Sequence, residues 1–202
     1  MSTLEVKELS HPAGEVIKIA SGKTLDLNSQ GTLVLPTVPH AKMPSGSVLQ
    51  VLGIKTLDTT ATSSNTYVNT GITLAITPSS TSSKILVEVN ITIGHSVGTF
   101  HFRIARGSDQ TICIGDAGAS LQLRSTTSFR ENATPYTHAM TSVPMSFLDS
   151  PSTTNATTYS VVGTIGVSYA NAVMYINRPD NTSNADYDSR STSTITLTEI
   201  AG

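Results

Sequence analysis

Little in this chain can carry charge or run chemistry. It has no tryptophan, one cysteine, 5% aromatic residues and 13% charged residues, whereas charged residues ordinarily make up about 25% of a globular domain. A single cysteine, Cys113, excludes an intramolecular disulfide framework. It lies between Ile112 and Ile114 in a strand-like run and reads as a structural thiol. The net charge of −2 gives no field to gather nucleic acid or anionic lipid, so nucleic-acid binding is not expected. No apolar run approaches the roughly 18 residues that cross a bilayer, and membrane insertion is not expected either. The start, Met1-Ser-Thr-Leu-Glu-Val-Lys-Glu8, has no basic n-region and no long apolar h-region, which argues against a secretory signal. Sequons at Asn90, Asn132, Asn155 and Asn181 are what chance supplies in a chain so rich in Ser and Thr.

Catalytic patterns are missing too. None of His11, His40, His95, His101 and His138 stands at metal-ligand spacing from another histidine or from Cys113. A threefold axis can turn one histidine into three, the one route to a metal at His40 or His95. There is no GxSxG elbow and no carboxylate set beside a histidine by a motif. Gly115-Asp-Ala-Gly118 precedes no helix and no lysine, so it is no phosphate loop. The chain is expected to be no enzyme, with no cofactor and no metal.

Ser and Thr fill that space, at about 29% of the chain. Uncharged surface rich in Thr favours strands over exposed helices. Near the N-terminus an eight-residue rhythm stands out: Ile17 and Ile19, then Leu25 and Leu27, then Leu33 and Leu35. Each unit is an apolar-x-apolar strand followed by a polar turn. Strands so short cannot bury their own apolar face, and three units are too few to complete a core. Identical segments from other copies of the chain are the expected neighbours, giving a short intertwined shaft in a symmetric oligomer. Three prolines in Pro36-Thr-Val-Pro39-His-Ala-Lys-Met-Pro44 stiffen the next stretch, as an extended connector would require. Residues 1–45 thus read as an anchor, shaft and connector, and residues 46–202 as one all-β domain.

In that domain Val48–Leu52, Ile72–Ile76, Lys84–Ile93, Phe100–Ile104, Ile112–Ile114, Val143–Phe147, Tyr159–Ile165, Met174–Ile176 and Ile195–Leu197 read as strands. About nine short strands, turn signals between them and no helical stretch indicate a β-sandwich, read here as a jelly roll. Two polar stretches between strands offer side chains to a partner. In Arg178-Pro-Asp-Asn-Thr-Ser-Asn-Ala-Asp-Tyr-Asp-Ser-Arg190, Tyr187 stands between two acids and is flanked by Arg178 and Arg190. A flat aromatic with hydrogen-bonding neighbours suits a sugar or a protein. The plain alternatives are a solvated loop or, through Asp180, Asp186 and Asp188, a Ca²⁺ loop that lacks the glycine and terminal glutamate of an EF-hand. Arg124, Phe129, Arg130 and Tyr136 fall in the second stretch, read as loop, where Phe129 either plugs the core edge or is presented outward.

The phrases Ser47-Val-Leu-Gln-Val-Leu52, Tyr67-Val-Asn-Thr-Gly71, Ile76-Thr-Pro-Ser-Ser-Thr-Ser-Ser-Lys84 and Ser193-Thr-Ile-Thr-Leu-Thr-Glu-Ile-Ala201 carry a resemblance. Together they resemble the C-terminal domain of tail-fibre-like structural proteins of tailed phages, especially marine ones. The likeness covers about two thirds of the chain and is thinnest around residues 110–160. It implies a homotrimeric virion protein with a distal jelly roll, similar in shape to trimeric tumour-necrosis-factor-like heads, and an N-terminus docked on other virion proteins of the tail or capsid. The function so implied is a tail fibre or receptor-binding protein, and the residues read above as open to a partner, Tyr187, Arg190, Arg178, Phe129 and Arg130, are its expected contacts to host surface polysaccharide or protein. A head fibre or capsid-decoration protein that stabilises the shell is the alternative.

Overall fold

The alternation of one strand organises the molecule. In β4 (Lys84–His95) Ile85, Val87, Val89, Ile91 and Ile93 are buried, while Glu88 and Asn90 between them are exposed. Successive side chains on a pleated strand point to opposite faces, so this spelling gives β4 one dry face. A computed structural model describes residues 38–95, 97–131, 138–166 and 171–202. The shaft residues Ile17, Ile19, Leu25, Leu27, Leu33 and Leu35, with His11 and Tyr136, lie outside the described residues. Pro39–Gly202 form one compact unit.

Two antiparallel sheets pack face to face. In the first, β1 (Val48–Thr56) pairs with β10 (Ser193–Ile200), β10 with β4, and β4 with β7 (Met140–Asp149). Ile93 and Gly94 pair with β7 on one side and with β9 (Met174–Ile176) on the other, so β9 continues the line of β10 end to end. The two-residue β2 (Ala61–Thr62) pairs with β9 and likewise continues β1. The second sheet has the order β3 (Val68–Ile76), β8 (Thr157–Ile165), β5 (Gly98–Arg106), β6 (Thr127–Glu131). Among the described residues each sheet is four strands wide, the first because β9 and β2 continue β10 and β1, and the chain passes repeatedly from one sheet to the other, which is the jelly-roll β-sandwich.

Between the sheets Phe100, Phe102 and Ile104 of β5 and Tyr159 and Val161 of β8 meet the dry face of β4, with Ile195 and Leu197 from β10. Each such side chain contributes roughly 1.5–3 kcal/mol by leaving water. Two glycines are required by backbone geometry. Gly71 (φ 89°) occupies the register shift of β3, and its N–H donates to Asn69 Oδ1 at 2.8 Å in an Asx-type turn. A Cβ on Gly94 would sit 2.3 Å from the Arg178 carbonyl oxygen, because the chain after β9 crosses β4 there.

Polar groups lock the end where the chain enters the sandwich. Asp149, at the close of β7 in the first sheet, accepts from Arg106 Nη1 at 2.9 and 2.8 Å and from the Tyr159 hydroxyl at 2.6 Å. Both donors belong to the second sheet, so one buried carboxylate ties the two layers together. Burial, then the bond to Asp149, push the Tyr159 hydroxyl far above its ordinary range. At the same end of the first sheet Glu199 is wholly inside, accepting from Gln50 Nε2 and from the Ser79 N–H and hydroxyl, each at 2.6 Å. Burial raises its pKa, but the hydrogen bonds outweigh burial and hold the carboxyl below its usual 4.5.

Three expectations change. Ile112–Ile114 form no strand: the stretch is a turn and irregular chain, and Ile112 still packs against the core. A hydrogen bond explains it, since the Cys113 carbonyl accepts from the Thr126 hydroxyl rather than from a neighbouring strand. The stretch around Phe129 and Arg130, read as loop, is strand β6, stabilised by pairing with β5 from Gly98 to Phe102. Of the connector, His40–Lys42 turn as one 3₁₀ helix behind Pro39 instead of running extended.

Breaking the Asp149 cluster leaves partners buried without their charge, whereas trimming its hydroxyl donor removes one bond. Asp149→Ala is expected to cost about 3 kcal/mol and Tyr159→Phe about 1 kcal/mol, measured by denaturant unfolding. For Glu199 the folded pKa is depressed, so its contribution is present above pH 4.5 and is lost as the pH falls through the folded value. Thermal melting followed from about pH 7 down to about pH 3 is expected to fall less steeply on the acid side in Glu199→Gln than in the parent.

Candidate partner-binding surface

The chain enters and leaves the sandwich at one end, where Gly46 N–H bonds the Ala201 carbonyl and Ala201 N–H bonds the Ser47 carbonyl, both at 2.8 Å. The polar segment 177–192 leaves toward the opposite end, through a gap between β10 and β9 at Ile91 and Thr92 of β4. Its departure interrupts a central strand, and Asn177 repairs the gap. Asn177 adopts φ 59°, in the left-handed region that asparagine tolerates. Fully buried, it donates from Nδ2 to the carbonyls of Thr56 (2.9 Å) and Asp58 (3.0 Å) where β1 also breaks. Its Oδ1 accepts from the Ser193 hydroxyl (2.7 Å), which in turn accepts from the Thr92 N–H (2.9 Å).

From this junction the segment crosses β4 at Gly94 and reaches the start of β7. There Asp188 meets His138 Nδ1 and accepts from the Ser183 hydroxyl at 2.6 Å. The Ser183 bond leads the influences that hold the Asp188 carboxyl below its usual 3.8, with His138 and Arg190 adding to it. Tyr187 stands edge-on against the His138 ring, 4.6 Å between centroids, and remains 60% exposed. The ring is therefore held from one side and open on the other. Arg190 is exposed, three residues further along the segment.

Arg178 is turned elsewhere. Its guanidinium lies 4.3 Å over the Tyr175 ring and its Nη1 donates to the Pro179 carbonyl at 3.2 Å. Burial and a bond to Asp180 raise the Tyr175 hydroxyl above its ordinary range. Asp180 and Asp188 are thus committed to separate partners, and among the described residues no three His, Cys, Asp or Glu side chains converge as a metal would need.

Phe129 and Arg130 belong to the other sheet. Phe129 is half-buried against the core, 6.5 Å from the directly opposed Phe100 and nearly parallel to it. Of the two readings open for it, this is the core-edge one. Arg130, the next residue, is exposed on the outer face. Tyr187 and Arg190 therefore share one surface, Arg178 adjoins it at Gly94, and Arg130 faces away on the second sheet. His138 is the residue that sequence reading missed: it is 50 residues from Asp188, and no local spacing announces so distant a pair. A shallow groove of about 440 Å³ on the outer face of the first sheet, lined by Glu88, Asn90, Pro144, Ser146, Thr194 and Thr196, is open and lightly charged.

His138→Ala is expected to leave global melting unchanged and to raise amide exchange selectively across residues 180–190, read by exchange mass spectrometry. Uniform exchange across the sandwich would show instead that His138 supports the whole fold. No protein-family model matches the chain and no curated protein matches it, so its functional reading rests on its own residues.

Proposed function

We propose that the chain is a homotrimeric virion fibre protein that attaches a tailed phage to its host. In this reading the N-terminal region docks on other virion proteins, the octad residues Ile17 to Leu35 assemble as the shaft, and the jelly roll presents its far end outward. One observation carries it: residues 39–48 and the C-terminus sit at one end of the sandwich, and the Tyr187–Arg190 surface sits toward the other. A body anchored at the first end offers the second to whatever it meets. The polarity is useful because loops on a rigid β scaffold can vary without disturbing the core. Three copies on one shaft would convert weak single contacts into avid binding.

The alternative of a head fibre or capsid-decorating protein draws on a different observation. On the outer face of the first sheet, Val51, Leu86 and Leu148 lie in one cross-strand row with Thr198, and Val51 and Leu148 are exposed. Such a row suits a flat protein neighbour better than a polysaccharide.

Sedimentation of the full chain is expected to give a three-chain species at micromolar concentration; a stable monomer would remove the shaft from the reading. Across a panel of bacterial strains the trimer is expected to adhere to some. Tyr187→Ala with Arg190→Ala is expected to weaken that adhesion while moving trimer stability by no more than about 0.5 kcal/mol, the usual range for surface changes. Adhesion to no strain, together with stabilisation of phage shells, would replace attachment by decoration.

A further inference from the structure

Arg103, on the outer face of the second sheet, and Arg124, in the connection beside it, are held among the described residues by neutral groups. Arg103, on β5, points outward from a strand whose Phe102 and Ile104 point in. Its guanidinium lies 3.7 Å over the Tyr67 ring, and its Nε donates to the Arg124 carbonyl at 2.8 Å. The Tyr67 hydroxyl donates to that same carbonyl at 2.7 Å. Arg124, in the long connection between β5 and β6, donates from its own Nε to the Gly115 carbonyl at 2.7 Å and is otherwise exposed. Neither guanidinium pairs with a carboxylate among the described residues, where the ion pairs are Arg106–Asp149 and His138–Asp188.

Arg106, at the end of β5, shows the contrast. It spends its Nη1 on both oxygens of Asp149. Arg103 and Arg124 are anchored through Nε, the inner edge of the fork, and among the described residues their ends meet no anion. Two arginines joined through one carbonyl, with no carboxylate paired to either among the described residues, raise the local potential. Burial and the Arg103 charge both lower the pKa of His101, two residues before Arg103 on the same face, keeping that ring neutral. Its Nδ1 is buried with no hydrogen-bond partner among the described residues.

We propose that Arg103, Arg124 and Tyr67, tied together at the Arg124 carbonyl, form a binding site for the carboxylate of an acidic saccharide. A planar guanidinium matches a carboxylate with two parallel bonds, and a fork already fixed by stacking and Nε loses little freedom on binding. Neutral hydroxyl donors nearby, such as exposed Ser128 opposite His101, suit sugar hydroxyls. Two cations on a chain of net charge −2 are too few for a nucleic-acid backbone. The assignment rests on the host-attachment reading and deepens it by naming the class of surface polymer.

Calorimetric titration of the full chain with oligogalacturonate and oligoglucuronate, using their methyl esters as uncharged controls, tests it. The acids are expected to bind and the esters not to bind. Arg124→Gln and Arg103→Gln are each expected to weaken the acids about tenfold, as loss of one charge-assisted pair does. Arg124→Lys, which keeps the charge and loses the fork, is expected to weaken them as well. Arg124 is exposed, so its variants decide the matter even if Arg103→Gln fails to fold. Equal binding of acid and ester, or acid binding unchanged in the Arg124 variants, would overturn the site. So would inorganic sulfate competing as well as the oligomers, which would leave a general anion site. Adhesion to cells without any acid binding removes this site and leaves the attachment reading; loss of both removes both.

Discussion

A sheet cannot be opened in its middle without orphaning backbone donors and acceptors, and in this molecule Asn177 supplies what the opening removes. Four groups converge on it or on the Ser193 hydroxyl beside it: the carbonyls of Thr56 and Asp58, and both backbone groups of Thr92. Buried polar groups left unpaired cost more than a hydrogen bond returns, so the junction is what makes the segment 177–192 tolerable in the second strand of its sheet. Without it β9 and β10 would have to be continuous and the surface that bears Tyr187 would not exist. The left-handed backbone at Asn177 belongs to the same device, since it turns the chain out of the sheet at the one level where partners wait.

The two ends of the sandwich are built differently. At the entry end, carboxylates are taken inside, Asp149 between the sheets and Glu199 among the Ser79 and Gln50 donors, and each depends on several partners at once. Such clusters are costly to rearrange, because removing one member strands the others. At the far end the principal tie is the His138–Asp188 pair, part-exposed, holding a segment most of whose side chains face water. Rigidity at the anchored end and a lightly fastened surface at the other is the distribution that allows recognition residues to change while the scaffold persists.

Scarcity of charge gives the few charged residues their meaning. With 13% charged residues, an arginine in this chain is not one of a crowd. Arg106 neutralises a buried acid, Arg178 stacks on Tyr175, and Arg103 and Arg124 are positioned by carbonyls and a ring. On the outer face of the first sheet, by contrast, threonine, serine and a row of aliphatic side chains outnumber the charged Lys55, Lys84 and Glu88.

By itself the sequence determined the class of fold and most of the core. Ile85 to Ile93, Phe100 to Ile104 and Ile195 with Leu197 are spelled with a period of two, and strands whose inner face must be dry have no other way to be written. It also marked Tyr187 and Arg190 as exposed, since a polar run rich in Asp, Asn and Ser cannot be packed inside. Tertiary structure alone decided the rest. Phe129 and Arg130 became a strand because β5 lay ready to pair with them, and Ile112–Ile114 did not because no partner did, although alternation in the sequence favoured the second stretch over the first. His138 beside Asp188, Asp149 between Arg106 and Tyr159, and Tyr67 under Arg103 are meetings of residues 10 to 50 positions apart. Periodicity reports which way a side chain faces, and only the pairing of strands across the sandwich fixes whom it faces.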